Sequence, residues 1–220
     1  MAIGVAAASA KDAGARELAA GKRPPRRVIE GEKARRIVEA MRRSVARRGT
    51  AGSTFDHVAR EAGVSRGLLH YYFGTKEQLL VEAVRRECEV RMELLEQRIA
   101  GARTAEDFIG LMAQNLQETV REDPDFVTLM FELFTLSRRN EDIAVEYAEL
   151  LRRTRGQVAD MLALAQREGV VRLHAQPDAV AEILFALADG FALRMLTEPD
   201  RDFETTVRAG IVCARALLAD

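Results

Sequence analysis

The stretch GVSRGLLHYYFGTKEQLL, residues 63–80, decides the fold. A helix-turn-helix requires a small residue in its first helix so that the second can come close. It also needs a glycine in the turn that can adopt positive φ, and apolar residues to lock the pair. Ala59 and Gly63 meet the first two needs, and Val58, Ala62, Val64 and Leu69 meet the third. Ser65 can cap the second helix. With Leu69 turned inward, helical geometry sends Arg66, Gly67, His70 and Tyr71 to the opposite face. That face suits a DNA major groove: Arg66 can pair with guanine O6 and N7, Gly67 lets the backbone approach, and His70 and Tyr71 can reach phosphate oxygens or a thymine methyl. Lys76 stands in the first turn of the following helix, where a cation opposes the helix dipole and a nearby phosphate would relieve the conflict.

Working outward, apolar residues recur at three- and four-residue steps from Gly31 onward, and no segment sustains strand alternation, so the predicted fold is all-α with about nine helices. A first helix carries the stripe Ile37, Val38, Met41 and Val45 and ends at Gly49. Ser53, with Asp56 three residues on, is the predicted N-cap of the next helix, and Thr75 begins a capping box for a long fourth helix reaching about Gly101. Further helices are predicted at 104–121, 125–138, 140–168, 177–197 and 203–218. Residues 1–29 end in GKRPPRR and read as a disordered basic arm; 30–76 form a three-helix helix-turn-helix domain, and 77–220 a larger helical bundle.

The chain's formal net charge of −1 hides a division. Residues 1–76 hold 16 Lys and Arg against 7 Asp and Glu, or +9; residues 77–220 hold 17 against 27, or −10. A basic head on an acidic body is what a protein needs when only one end meets a polyanion. Arg26 and Arg27 lie close enough to the first helix to follow a groove beside the bound head. No apolar run is long enough to span a bilayer and the start lacks a basic secretory n-region, which places the chain in the cytoplasm. Cys88 and Cys213 sit in separate helical patterns and read as packed, reduced thiols. The three histidines, His57, His70 and His174, are scattered, and no metal-ligand or nucleophile-base cluster is visible, so neither a cofactor nor enzymatic activity is expected.

The run STFDHVAREAGVSRGLLHYYFGTKEQLL resembles the DNA-binding domain of the TetR family of bacterial transcriptional regulators. The shared pattern is a threonine opening the second helix, then A-G-V-S-x-G, an aromatic cluster ending in Phe, and a lysine shortly after. With the first helix it covers about 45 residues. The resemblance implies that Thr54 and Lys76 meet phosphate and that Arg66, Gly67 and Tyr71 face the groove; Ser65, at the start of the same helix, is a further expected DNA contact. Two positions depart from the pattern. His70 stands where the family usually has tyrosine, with Tyr72 where it often has histidine, so altered base preference or pH dependence would begin there. Leu68 replaces a small residue and is expected to pack.

The resemblance also implies a C-terminal domain that dimerises and takes a small-molecule effector. Ile183, Leu184, Leu187, Phe191 and Met195, with Val207, Ile211, Ala214 and Leu218 of the last helix, are the expected homodimer interface, built as four helices about a two-fold axis. Phe108, Met112, Asn115, Phe126, Met130, Phe134 and Tyr147 are the expected effector contacts, for a largely apolar ligand. The expected function is a ligand-responsive repressor that binds a palindromic operator in double-stranded DNA as a homodimer. The alternative is a helical ligand-binding or adaptor protein that does not read DNA.

Overall fold

A computed structural model describes residues 31–218, and every regular element among them is a helix. The basic arm, with Arg26 and Arg27, lies outside the described residues. In chain order the helices are α1 (Gly31–Gly52), α2 (Phe55–Ala62), α3 (Arg66–Phe73), α4 (Lys76–Ile99), α5 (Ala105–Glu122), α6 (Pro124–Ser137), α7 (Glu141–Arg167), α8 (Pro177–Thr197) and α9 (Glu204–Leu218).

Local chemistry explains most boundaries. Gly49 (φ 66°, ψ 172°) breaks α1 where the sequence places its cap, although one further turn follows. Thr54, rather than the predicted Ser53, caps α2 by accepting from His57 N–H. Ser53 is fully buried and already engaged: its hydroxyl donates to the Gly49 carbonyl and accepts from Ser44. Ser65 and Thr75 cap α3 and α4 as expected, accepting from Leu68 and Gln78 N–H, each cap contributing about 1 kcal/mol. A capping box of Thr104 and Asp107 starts α5, and Asp123 with Pro124 starts α6. Gly63 ends α2 in the left-handed conformation (φ 66°, ψ 40°) that a side chain would strain.

The helices share two main cores. One joins α1 and α2 to Leu69 of α3, the first half of α4 (Leu79 to Cys88), Leu129 and Leu133 of α6, and Ile143 and Leu150 of α7. The other joins the end of α4 (Leu95, Ile99) to Phe108 and Ile109 of α5, Val158 to Ala165 of α7, Val180 and Ala181 of α8, and Ala214 and Leu218 of α9. A smaller cluster of Val120, Val127 and Ala192 ties α5, α6 and α8. The α1 helix therefore packs on α4 and α6 as well as on α2, so the head is not separated from the bundle at residue 76. Cys88 lies in the first core, its thiol pushed up to about 12 by burial, whereas Cys213 is exposed, against expectation, on the outer side of α9.

Candidate nucleic-acid interface and ligand cavity

The turn between α2 and α3 holds the two helices so that Leu69 is completely buried while Thr54, Ser65, Arg66, Gly67, His70 and Tyr71 are exposed. Leu68 is half-buried against the first core, as expected. Tyr71 is 58% exposed, its ring edge-on to Tyr72 at 5.1 Å. A Cβ at Gly67 would meet nothing within 4 Å, so this part of the helix surface is open.

The polar groups of this face already interact. Arg66 Nη1 lies 3.3 Å from Asp56 Oδ2 across the turn, and Arg66 Nε donates to His70 Nε2 at 3.2 Å. His70 Nδ1 lies 3.3 Å from the Gly74 carbonyl, and the imidazole meets the Phe55 ring edge-on at 4.6 Å. Lys76 is half-buried and its ammonium group donates to the carbonyls of Thr50 at 2.8 Å and Ala51 at 3.5 Å. These carbonyls end α1, so the cation that opposes the dipole of α4 is compensated within the protein. A lysine at this position therefore does not by itself call for an external polyanion. Thr50 in turn donates from Oγ1 to Glu132 of α6 at 2.6 Å.

A second junction lies at Asp123. Its carboxylate caps α6 at Phe126 N–H and accepts from Arg42 of α1 and Arg91 of α4. The Arg91 guanidinium also lies 4.1 Å above the Phe126 ring. One side chain thereby ties three helices at the seam between head and bundle.

In the bundle, a cavity of about 100 Å³ lies between α5, α8 and α9, its lining apolar except for Gln117. Of the nine residues expected at the dimer interface, eight line this cavity: Leu184, Leu187, Phe191, Met195, Val207, Ile211, Ala214 and Leu218. Only Ile183 stands on the exposed side, at 49%. The outer faces of α8 and α9 instead present Ile183, Leu193 and Val212, interspersed with Ala186, Gly190, Ala209 and Cys213.

Of the expected effector contacts, Met112 lines that cavity. Phe108 is fully buried beside a different, more polar hollow of about 370 Å³ near the ends of α4 and α7. Asn115 is half-buried. Phe126, Met130 and Tyr147 pack against the first core, and Phe134 is 49% exposed with its ring 6.5 Å from that of Tyr147. Burial, and then the charge of Asp189, push the Tyr147 hydroxyl up to about 12. The seven do not line one cavity. Helical periodicity finds apolar faces, but α8 is apolar on both sides, and so spacing could not tell its inner face from its outer one.

Among the described residues no group of three His, Cys, Asp or Glu is placed to hold a metal ion, and no helix is long and apolar enough to cross a membrane.

The sequence matches two family models: residues 37–83 that of bacterial regulatory proteins of the tetR family, and residues 105–217 that of the C-terminal domain of BetI-type transcriptional repressors. The chain is 25% identical over 182 residues to the HTH-type transcriptional regulator PksA of Bacillus subtilis, covering 80% of this chain and 85% of that protein. It is 27% identical over 174 residues to the HTH-type transcriptional regulator BetI of Agrobacterium fabrum, covering 77% and 80%. In fold it is similar to the transcriptional regulator FadR of Bacillus subtilis in complex with stearoyl-CoA (TM-score 0.68, 18% identity, 82% of this chain and 98% of that one). It is also similar to a protein from Saccharomonospora viridis solved in complex with choline (TM-score 0.68, 24% identity, 87% and 100%).

Proposed function

Because the chain belongs to the TetR family of bacterial transcriptional regulators, we propose that it is a repressor acting in the cytoplasm. It binds a palindromic operator as a homodimer and leaves it when a small apolar effector enters the bundle. The observation that carries this reading is the open face of α3, where Arg66, Gly67, His70 and Tyr71 stand exposed over a buried Leu69. Thr54, Ser65 and Lys76 flank it in position to meet phosphates. The proposed dimer surface is the outer side of α8 and α9, since exposed apolar residues interspersed with small ones allow helices of two subunits to approach closely.

The cavity between α5, α8 and α9 is the proposed effector site. Ligand pockets usually measure about 300–1,000 Å³, so a cavity of about 100 Å³ must widen to admit an effector. Widening moves α5, whose end passes through Asp123 into α6 and so reaches Arg42 of α1 and Arg91 of α4. An effector that binds the widened form more tightly shifts the protein away from the operator-bound form by that difference in affinity. The lining favours an acyl or other hydrocarbon group. A quaternary ammonium would find one aromatic ring, Phe191, and no carboxylate there.

The test is selection of duplexes from a random library, followed by titration across salt concentrations. The expected result is an inverted repeat whose half-sites lie about 34–36 Å apart or a multiple of it, with affinity falling steeply in salt. Equal binding to every sequence would favour a helical ligand-binding or adaptor protein.

A further inference from the structure

We propose that His70 is the positioning residue that sets the base preference of Arg66, and that it does not itself serve as a phosphate contact. This rests on the reading of Arg66 as a base-reading side chain. Arginine carries donors only, so the nitrogen it meets must accept: His70 Nε2, 3.2 Å from Arg66 Nε, is unprotonated. The single proton of the neutral ring then lies on Nδ1, which donates to the Gly74 carbonyl at 3.3 Å. Gly74 returns a bond, its N–H donating to the His70 carbonyl at 3.0 Å. Phe55 packs edge-on against the imidazole at 84°, so the ring is held at one nitrogen and on one side before any DNA arrives. Gly74 has φ 72° and ψ −61°, a conformation that aims its carbonyl back at the ring and that other residues rarely adopt.

What is held this way is the Nε side of the guanidinium, which leaves the Nη1 and Nη2 edge for a bidentate partner. In the free protein Asp56 occupies part of that edge at 3.3 and 3.5 Å. Both side chains of this ion pair are more than half exposed, so it is weak, and a carboxylate is repelled from a phosphate-lined groove. When Asp56 lets go, the freed edge matches guanine O6 and N7, with the His70 bond still fixing its plane.

The charged groups around the imidazole are Arg66 on its own helix and, through Arg66, Asp56 of α2. Lys76 of α4 is bonded to the Thr50 carbonyl.

The experiment uses the full chain and an operator selected by the wild type at neutral pH, with each guanine replaced in turn by adenine. Arg66→Ala identifies the guanine it reads. Wild type should prefer guanine there by about 5- to 150-fold. His70→Phe keeps a ring against Phe55 but has no nitrogens, and should cut that preference to about 3-fold or less with the salt dependence unchanged. His70→Gln, whose carbonyl can accept from Arg66 Nε, should restore most of it. Nitrogen NMR of the free protein should show the proton on Nδ1. Full guanine preference in His70→Phe overturns the proposal, as does a proton on Nε2. So does a uniform loss of affinity with a shallower salt slope, which would make His70 a phosphate contact. If Arg66→Ala alters no base preference, it is the reading of Arg66 that fails; if Arg66→Ala does and His70→Phe does not, only the positioning role fails.

Discussion

The ammonium group of Lys76 donates to the carbonyl oxygen of Thr50 at 2.8 Å, joining the start of α4 to the end of α1. Lysine has three donors, so this bond leaves room for a phosphate. Lys76→Ala is therefore expected to act twice: about 1–2 kcal/mol less stability without DNA, a fall of roughly 2–8 °C in Tm, and a salt slope shallower by about one unit. Calorimetry and binding titrations separate the two. An unchanged slope would leave Lys76 a purely internal strut.

Asp123 holds two arginines and a helix start. Asp123→Ala strips the cap and removes the carboxylate that Arg42 and Arg91 share, leaving each only the glutamate of its own helix, Glu39 or Glu87, in a partly buried site. Urea unfolding is expected to show a loss of about 2–4 kcal/mol, and Asp123→Asn, which can still cap, a smaller one. Equal losses would mean that the charge, not the cap, matters.

Glu82 is buried on α4; desolvation pushes its carboxyl up, but bonds and charge from Arg85 and Arg86 outweigh this and hold it below the usual range. Its contribution to stability is thus fully present above the unfolded pKa of about 4.3 and lost as pH falls through the lower folded value. The stability advantage of wild type over Glu82→Gln should shrink below about pH 4.3. Thermal melts across that range provide the check, and a gap that widens on acidification would contradict the assignment.

On the outer side of α8 and α9, Leu193 and Val212 are 47% and 61% exposed. Leu193→Glu with Val212→Glu should yield monomers in sedimentation that keep their helical circular dichroism, since neither residue belongs to a core of the subunit. A short bismaleimide should couple two chains through exposed Cys213. Dimers that persist in the double variant would place the interface elsewhere.

A Cβ at Gly210 would lie 2.8 and 2.9 Å from the tip of the Phe191 ring. That ring borders the cavity, so in Gly210→Ala it has space to turn into. The expected outcome is a cost of about 1–2 kcal/mol and weaker uptake of a hydrocarbon probe such as decanoate. Unaltered uptake would argue against this cavity as the effector site.

The helix-turn-helix was legible because its determinants are local: Gly63 ends one helix, Ser65 caps the next, and Leu69 selects the inner face. The partners of Lys76 lie 26 and 25 residues back, and Asp123 meets an arginine 81 residues away, so no window of sequence could reveal them. Ser53 and Thr54 are neighbours that can both cap a helix, and the buried bonds of Ser53 to Ser44 and Gly49 decide between them. The interior side of α8 stayed hidden for a different reason, as both its sides are apolar and the choice belongs to α5 and α9.

The shared core of α1, α4, α6 and α7 bears on how such proteins can be recombined. A hybrid grafting residues 31–76 onto another regulator's bundle would bring Ile37, Met41 and Val45 without Leu129, Leu133 and Ile143, their companions in that core. The graft should misfold or fall silent to its new inducer unless the recipient's counterparts of α4 and α6 are matched to it.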